Sequence, residues 1–202
     1  MNLSEINIRE KDFHNKLQSQ KKGRFENIFY KALYNISEDF FDFLKNNANN
    51  AEILDYGCGV GSFVEEVSKF GPKKIVGIDI SEVSINKAVE RTKELKTNVN
   101  FIVDNCEKTK FDNNSFDVVY GSGILHHLQI NKCLDEIHRV LKPNGSLVFI
   151  EPLGTNPIIN FYRKLTPKSR SKDEHPLMDN DFKYIKNKFT NTEIKYYGLS
   201  TL

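Results

Sequence analysis

The stretch Ile53-Leu54-Asp55-Tyr56-Gly57-Cys58-Gly59-Val60-Gly61-Ser62-Phe63 constrains the fold more tightly than any other part of the chain. An apolar run ends in an acid and three glycines follow at alternate positions. Phe63, Val64 and Val67 then share one helical face, with Glu65 and Glu66 turned away. The pattern predicts a buried strand, a tight turn and the start of a helix. Glycine reaches positive φ without steric cost and lets a ligand approach the backbone closely. The first turn of a helix adds unpaired N–H groups and a partial positive charge. Such a turn suits a nucleotide-like ligand.

The glycine spacing narrows the ligand. A dinucleotide fold uses G-x-G-x-x-G, with the pyrophosphate on the helix N-terminus. Here the spacing is G-x-G-x-G, and Asp55 stands two residues before the first glycine. A carboxylate at that place repels a pyrophosphate and favours a ligand that carries an ammonium group. A P-loop is excluded because no Gly-Lys-Ser/Thr follows the turn.

From Ala51 onward, strand and helix patterns alternate, as in a parallel sheet covered on both faces. The expected strands are 52–56, 74–79, 99–103, 116–120, 146–150 and 193–198. Helices are expected from 62 to 70, stopped by Gly71-Pro72, from Ser81 to 95, and over much of 124–140. Residues 1–50 read as an N-terminal helical cap segment. Phe25, Ile28, Phe29, Ala32, Leu33 and Ile36 recur at helical spacing, and Phe40, Phe41, Phe43 and Leu44 follow behind a cap at Ser37. The charged start, up to about Lys22, is expected to be loose until something binds. The remaining core spans 51–202 and includes an insertion at 152–190.

Composition removes several classes. A content of 39% hydrophobic and 28% charged residues fits a soluble globular chain. A net charge of +2 gives no electrostatic reason to expect nucleic acid as a partner. No secretory leader pattern is visible at the start, and no apolar run approaches the ~20 residues needed to cross a bilayer. Cys58, Cys106 and Cys133 are too far apart for a disulfide framework or a zinc site, so reduced thiols and a cytoplasmic location are expected. No metal is expected, and nothing in the sequence sets the oligomeric state.

Four motifs in order resemble those of class I S-adenosylmethionine-dependent methyltransferases of the small-molecule type, the type 11-like domain. They are Asp55-x-Gly57-x-Gly59-x-Gly61, Asp79 at the end of the second strand, the Asp104-Asn105-Cys106 … Phe111 segment, and Asn114 to Leu128 with its His126-His127 pair. Leu141-Lys142-Pro143-Asn144-Gly145 adds the family's turn into strand five. The resemblance covers about half of the chain. It implies an α/β fold with a doubly wound, mostly parallel Rossmann-like sheet, helices on both faces, and S-adenosyl-L-methionine as cofactor. Family sheets end in a hairpin of sixth and seventh strands. This sequence leaves no room for the seventh, so the sheet is expected to lack it.

The resemblance also implies roles. Asp55 and the backbone of Gly57, Cys58, Gly59 and Gly61 would hold the methionine part. Asp79 would take the ribose hydroxyls and Ile80 one adenine face. Asn105 and Cys106 would meet the adenine edge, and Gly121 would offer its carbonyl to the ammonium. Registering on Phe111 puts the adenine-binding acid of the family on Asn105, and a shift of one returns it to Asp104. A base is needed only for a hydroxyl or protonated amine acceptor. The candidates are His127 and His175, with His126 and His14 nearby in sequence or by segment. The acceptor is a small molecule methylated on O, N or S. Asn156-Pro157 follows strand five and lacks a second proline, which disfavours methylation of nucleic-acid amines. Arg163, Lys164, Lys168, Arg170 and Lys172, with Phe161, Tyr162 and Leu165 between them, suit contact with an anionic membrane. Two further readings follow: a lipid- or quinone-directed methyltransferase, and a non-catalytic domain that binds the cofactor or a partner.

Overall fold

A computed structural model describes residues 3–19, 34–154, 160, 171 and 173–197. Its elements are α1 (Glu5–Ser19), α2 (Tyr34–Asn47), β1 (Glu52–Tyr56), α3 (Val64–Ser68), β2 (Lys74–Asp79), α4 (Glu82–Thr92), β3 (Val99–Val103) and β4 (Phe116–Ser122). A 3-10 turn (Leu125–His127), α5 (Ile130–Val140), β5 (Leu141–Ile150) and α6 (Asp179–Lys188) follow.

The described strands pair in the order β3-β2-β1-β4-β5, all parallel. β1 is central, with Asp55 opposite Gly77 on one side and Tyr120 on the other. Its alternate residues feed two separate cores. Ile53 packs with Phe40, Leu44, Val64, Val67, Val118 and Tyr120. Leu54 and Tyr56 pack with Val76, Ile78, Val119, Leu134 and Ile137. A strand apolar on both faces must be covered on both faces, which is why these runs read as continuous hydrophobic stretches. Each fully buried Leu or Ile contributes about 1.5–3 kcal/mol. α5 shows the matching helical pattern: Cys133, Leu134, Ile137 and Val140 are buried, while Lys132 is exposed.

The chain runs β1-β2-β3 outward on one side and then returns to place β4 against the other side of β1. This reversal creates a crevice at the carboxyl ends of β1 and β4, the place where doubly wound sheets bind ligands.

Several local expectations change. In the N-terminal segment, Glu5–Ser19 form α1, and Ser4 and Asn7 cap it reciprocally, each side chain accepting the other's N–H at 3.1 and 3.2 Å. Ser37 lies inside α2 rather than capping it, and residues 25–33 fall outside the described set. α3 is one short turn with Phe63 at its N-terminal boundary and no side-chain cap, so it is shorter than the 62–70 expected. Pro143-Asn144-Gly145 is a bulge within β5: Leu141 pairs with Phe116 and Ser146 with Val118, and Asn144 has φ 64°. Residues 192–197 form no strand, so the expected sixth strand is absent among the described residues. The expected long helix over 124–140 is broken at Leu128, whose backbone is extended.

Candidate functional site

The glycine turn and Asp79 are built as one unit. Gly57, Gly59 and Gly61 all have positive φ, at 74°, 52° and 69°. The Cys58 N–H donates to the Ile78 carbonyl at 2.8 Å, which ties the turn to β2. Asp79 accepts the N–H of Gly59 through Oδ2 at 2.9 Å and that of Ser81 through Oδ1 at 2.8 Å. Ser81 supplies the N-cap of α4, accepting from Ser84 N, as its sequence position implies. Asp79 is therefore free of capping duty, and each oxygen keeps a lone pair for a further donor. Burial raises its pKa, opposed by the Ser81 N–H, then by the charge of His14 and the Gly59 N–H.

Asp55 lies behind the turn with 3% exposure, and its Oδ2 has no hydrogen-bond partner. Burial lifts its pKa to about 7, against the pull of the Tyr120 hydroxyl, and the charge of Asp79 adds to the rise. An added Cβ at Gly59 would meet nothing within 4 Å, so the front of the turn opens onto free space. A buried carboxyl with one oxygen left unpartnered behind an open glycine turn fits a ligand bearing a cationic amine.

At the end of β3, Asp104 serves its own loop, accepting the N–H groups of Asn105 and Lys110 at 3.0 Å each. Asn105 accepts from Glu107 N at 2.9 Å and donates to Asn7 of α1 at 3.2 Å. Of the two candidates for the edge of the crevice, Asn105 is thus the one turned toward α1. Cys106 is buried and its carbonyl accepts the Tyr56 hydroxyl, while burial pushes its thiol well above the usual range. Ile80 is half-buried beside Asp79.

At the end of β4, Gly121 lies where an added Cβ would fall 2.5 Å from the Phe149 ring and 2.8 Å from the Tyr56 carbonyl oxygen. The 3-10 turn that follows is organised by Glu151, just past β5. Its Oε1 accepts the N–H groups of Ile124 and Leu125 at 2.8 Å each, and its Oε2 sits 2.7 Å from His126 Nδ1. Removing that carboxylate strands two buried donors at about 1–3 kcal/mol apiece. Glu151→Ala is expected to lower the unfolding free energy by about 2–5 kcal/mol, with Glu151→Gln losing less. Urea unfolding followed by far-UV circular dichroism measures both, and equal midpoints for Ala and wild type would contradict this role.

His127 does not share that fixation. Its Nδ1 lies 3.1 Å from Oε2 of Glu10 on α1, and His14 Nε2 lies 3.6 Å from the same oxygen. Glu10 is 4% exposed. Burial works to raise its pKa, but the rings of His127 and His14 outweigh that and hold it well below the usual carboxylate range. Burial lowers the His127 pKa, with Glu10 opposing and the charges of His126 and His14 assisting. His175 is brought to the same place by its backbone, donating to the His126 carbonyl at 2.8 Å, but the residue is exposed.

α1 crosses the carboxyl edge of the sheet with a polar stripe. Asn7 meets Asn105, Glu10 meets His127, and Asn15 accepts from the Ser81 hydroxyl at 2.6 Å. Arg9 forms a two-bond pair with Asp173 at 2.8 Å. Glu10, Asn7 and Glu151 are missing from the sequence-based set of site residues. The reciprocal Ser4/Asn7 spacing and the polar residues at helical spacing are local signals for α1, and no local signal marks Glu151. Arg163, Lys164, Lys168, Arg170, Lys172 and Asn156-Pro157 lie outside the described residues.

The protein-family model described as a methyltransferase domain matches residues 54–149. Demethylmenaquinone methyltransferase of Lactococcus lactis subsp. lactis is 37% identical over 116 residues, which cover 55% of this chain and 45% of that protein. Phosphoethanolamine N-methyltransferase 3 of Arabidopsis thaliana is 29% identical over 147 residues, covering 69% of this chain and 30% of that protein. The chain thus matches less than half the length of either curated relative. Among solved structures, geranyl diphosphate C-methyltransferase of Streptomyces coelicolor A3(2), in complex with Mg2+, geranyl diphosphate and S-adenosyl-L-homocysteine, superposes with a TM-score of 0.67. It is 17% identical, over 91% of this chain and 78% of that one, a likeness of fold. Motif order, sheet topology and the matched family model agree: the chain has the fold of the class I S-adenosylmethionine-dependent methyltransferases, and its residues 54–149 match the methyltransferase domain family.

Proposed function

We propose that the protein transfers a methyl group to an O, N or S atom of a small molecule. The observation that carries this reading is the buried Asp55, whose Oδ2 has no hydrogen-bond partner, behind the turn that is open at Gly59 and tied through the Gly59 N–H to Asp79. In this reading Asp55 pairs with the ammonium group of the donor, and the backbone of Gly57, Cys58, Gly59 and Gly61 lines its amino-acid part. Asp79 accepts the ribose hydroxyls with its remaining lone pairs. Ile80 covers the adenine, Asn105 and Cys106 meet its edge, and Gly121 lends its carbonyl. The bound donor supplies a methyl group already activated by a positive sulfur. The chain's own task is then mainly to hold the acceptor atom in line.

Where the acceptor must lose a proton, a ring nitrogen of His127 receives it, and the adjacent Glu10 carboxylate compensates the imidazolium. His175, exposed, is the weaker candidate. The expected result for His127→Asn is a kcat lowered about 10²- to 10⁴-fold with unchanged affinity for S-adenosylhomocysteine. Unchanged turnover would remove His127 from the reaction.

A second reading, action on a lipid or quinone at the membrane surface, is supported by the names of relatives, which include sterol and quinone methyltransferases. The described residues contain no helix long and apolar enough to cross a membrane. A screen of metabolite and lipid extracts with labelled donor separates the two readings by the fraction that gains label. Calorimetry with S-adenosylhomocysteine tests both together: absence of binding discards the donor site, and binding without any labelled product favours a non-catalytic domain.

A further inference from the structure

We propose that Glu10, His14 and His127 bind one divalent first-row cation of the zinc, cobalt or nickel kind. Glu10 and His14 are one helical turn apart on α1 and so present their donors on one face. His127 approaches from the 3-10 turn after β4. One donor atom from each lies within 4.8 Å of the other two. Two of the separations are 3.1 Å, from Glu10 Oε2 to His127 Nδ1, and 3.6 Å, from the same oxygen to His14 Nε2. A tetrahedral ion with bonds of about 2.0–2.1 Å has ligand-to-ligand edges of about 3.3–3.4 Å. The two observed edges straddle that value.

The bonding state of these atoms points the same way. Both oxygens of Glu10 and Nδ1 of His127 are buried without a hydrogen-bond partner, although Nδ1 and Oε2 are only 3.1 Å apart. His127, His14 and Ser171 all neighbour the carboxylate, yet none meets it in hydrogen-bond geometry. Poorly satisfied buried oxygens are costly, and a shared cation satisfies them together with the imidazole lone pair. Two imidazoles and one carboxylate suit borderline ions, whereas magnesium and calcium prefer oxygen-only shells. His126, His127 and Glu174 form an overlapping group. There His126 Nδ1 is paired with Glu151, which leaves Nε2 for an ion. The unpartnered oxygens of Glu10 favour the first group, and a Glu174→Gln variant separates the two. Three protein ligands leave a fourth position for water or for an acceptor oxygen. An ion held by Glu10, His14 and His127 would itself polarise that oxygen as a Lewis acid, and His127 would then serve as its ligand rather than as a base. Only this use of the fourth position rests on the methyl-transfer reading; binding of the ion does not.

The test is a titration of the tag-free, chelator-treated full chain with Co(II), without methyl donor, followed by competition with Zn(II). One equivalent is expected to bind with the visible d–d absorption of a four- or five-coordinate site. Glu10→Gln and His14→Gln should each weaken binding by more than about 100-fold, beyond the loss caused by an outer-shell partner. Circular dichroism and cooperative melting establish that the variants are folded. No stoichiometric binding by the folded wild type, or unchanged affinity in both variants, overturns the proposal. Loss in Glu174→Gln with retention in Glu10→Gln overturns it too, by moving the ion to the neighbouring group. Binding of S-adenosylhomocysteine, measured in parallel, reports on the donor site alone, so failure of one site is distinguishable from failure of the other.

Discussion

Asp55→Asn is expected to stabilise the ligand-free protein at pH 8 while weakening its hold on S-adenosylhomocysteine. The Asp55 carboxyl is buried and its pKa rises from 3.8 to about 7 on folding, first through burial and then through the neighbouring charge of Asp79. Below about pH 4 it is protonated in both folded and unfolded chains and costs nothing. Between about pH 4 and pH 7 the unfolded chain releases the proton while the folded chain keeps it. Stability therefore falls by about 1.36 kcal/mol per pH unit, about 4 kcal/mol in all, and then stays level. Asparagine removes that penalty. The gain in melting temperature should be largest at pH 8 and vanish near pH 4. Ligand binding should move the opposite way: losing a charged partner for the ammonium costs about 1.5–3 kcal/mol, roughly 10- to 150-fold in affinity. Wild-type affinity should drop about tenfold per unit below pH 7 as Asp55 becomes protonated, and the variant should show no such slope. A variant that is less stable at pH 8, or that binds with the wild-type pH profile, would remove Asp55 from the ligand site.

The second large effect separates two glycines that look alike in sequence. At Gly121 an alanine Cβ would lie 2.8 Å from the Tyr56 carbonyl oxygen and 2.5 Å from the Phe149 ring. The oxygen belongs to the central strand and cannot yield. Gly121→Ala should therefore cost about 1–3 kcal/mol as an overpacking strain between β1, β4 and β5. At Gly59 the same methyl meets nothing within 4 Å, but φ is 52°. Gly59→Ala should cost only the left-handed backbone penalty of about 1–2 kcal/mol, while placing a methyl in the cradle and weakening S-adenosylhomocysteine binding. Melting and calorimetry on the pair should show more binding lost than stability at Gly59, and a fold-wide loss at Gly121. Equal ligand affinity for Gly59→Ala and wild type would mean that nothing approaches this turn.

The sheet was legible because its evidence is local. Ile53 and Leu54 are apolar on both faces, glycines appear where φ must be positive, and Gly71-Pro72 interrupts the helix; these are properties of single residues or short runs. The sixth strand failed as an expectation for the same reason: Glu193 to Tyr197 has strand-forming residues, but a strand exists only when another strand pairs with it. α1 falls within the segment read as a helical cap, but its place at the site was not legible because its contacts are polar. Asn7, Glu10, His14 and Asn15 recur at helical spacing, yet a search for apolar periodicity passes over them, and the segment reads as a loose charged end.

By itself the sequence determined the central strands, the glycine turn, the two acids Asp55 and Asp79 and the family these imply, since each rests on backbone geometry or burial imposed within a few residues. Only the tertiary structure decided which groups complete the site. Glu10 reaches His127 across 117 positions of the chain, and Glu151 reaches Ile124 and Leu125 across 27 and 26. The physical reason is that a carboxylate's role is set by the donors and cations brought within about 3 Å of it, a distance that folding establishes and residue order does not encode locally. In the proposed reading, Asp55–Gly61 places the donor from sequence alone, and the acceptor side is the one across which α1 lies.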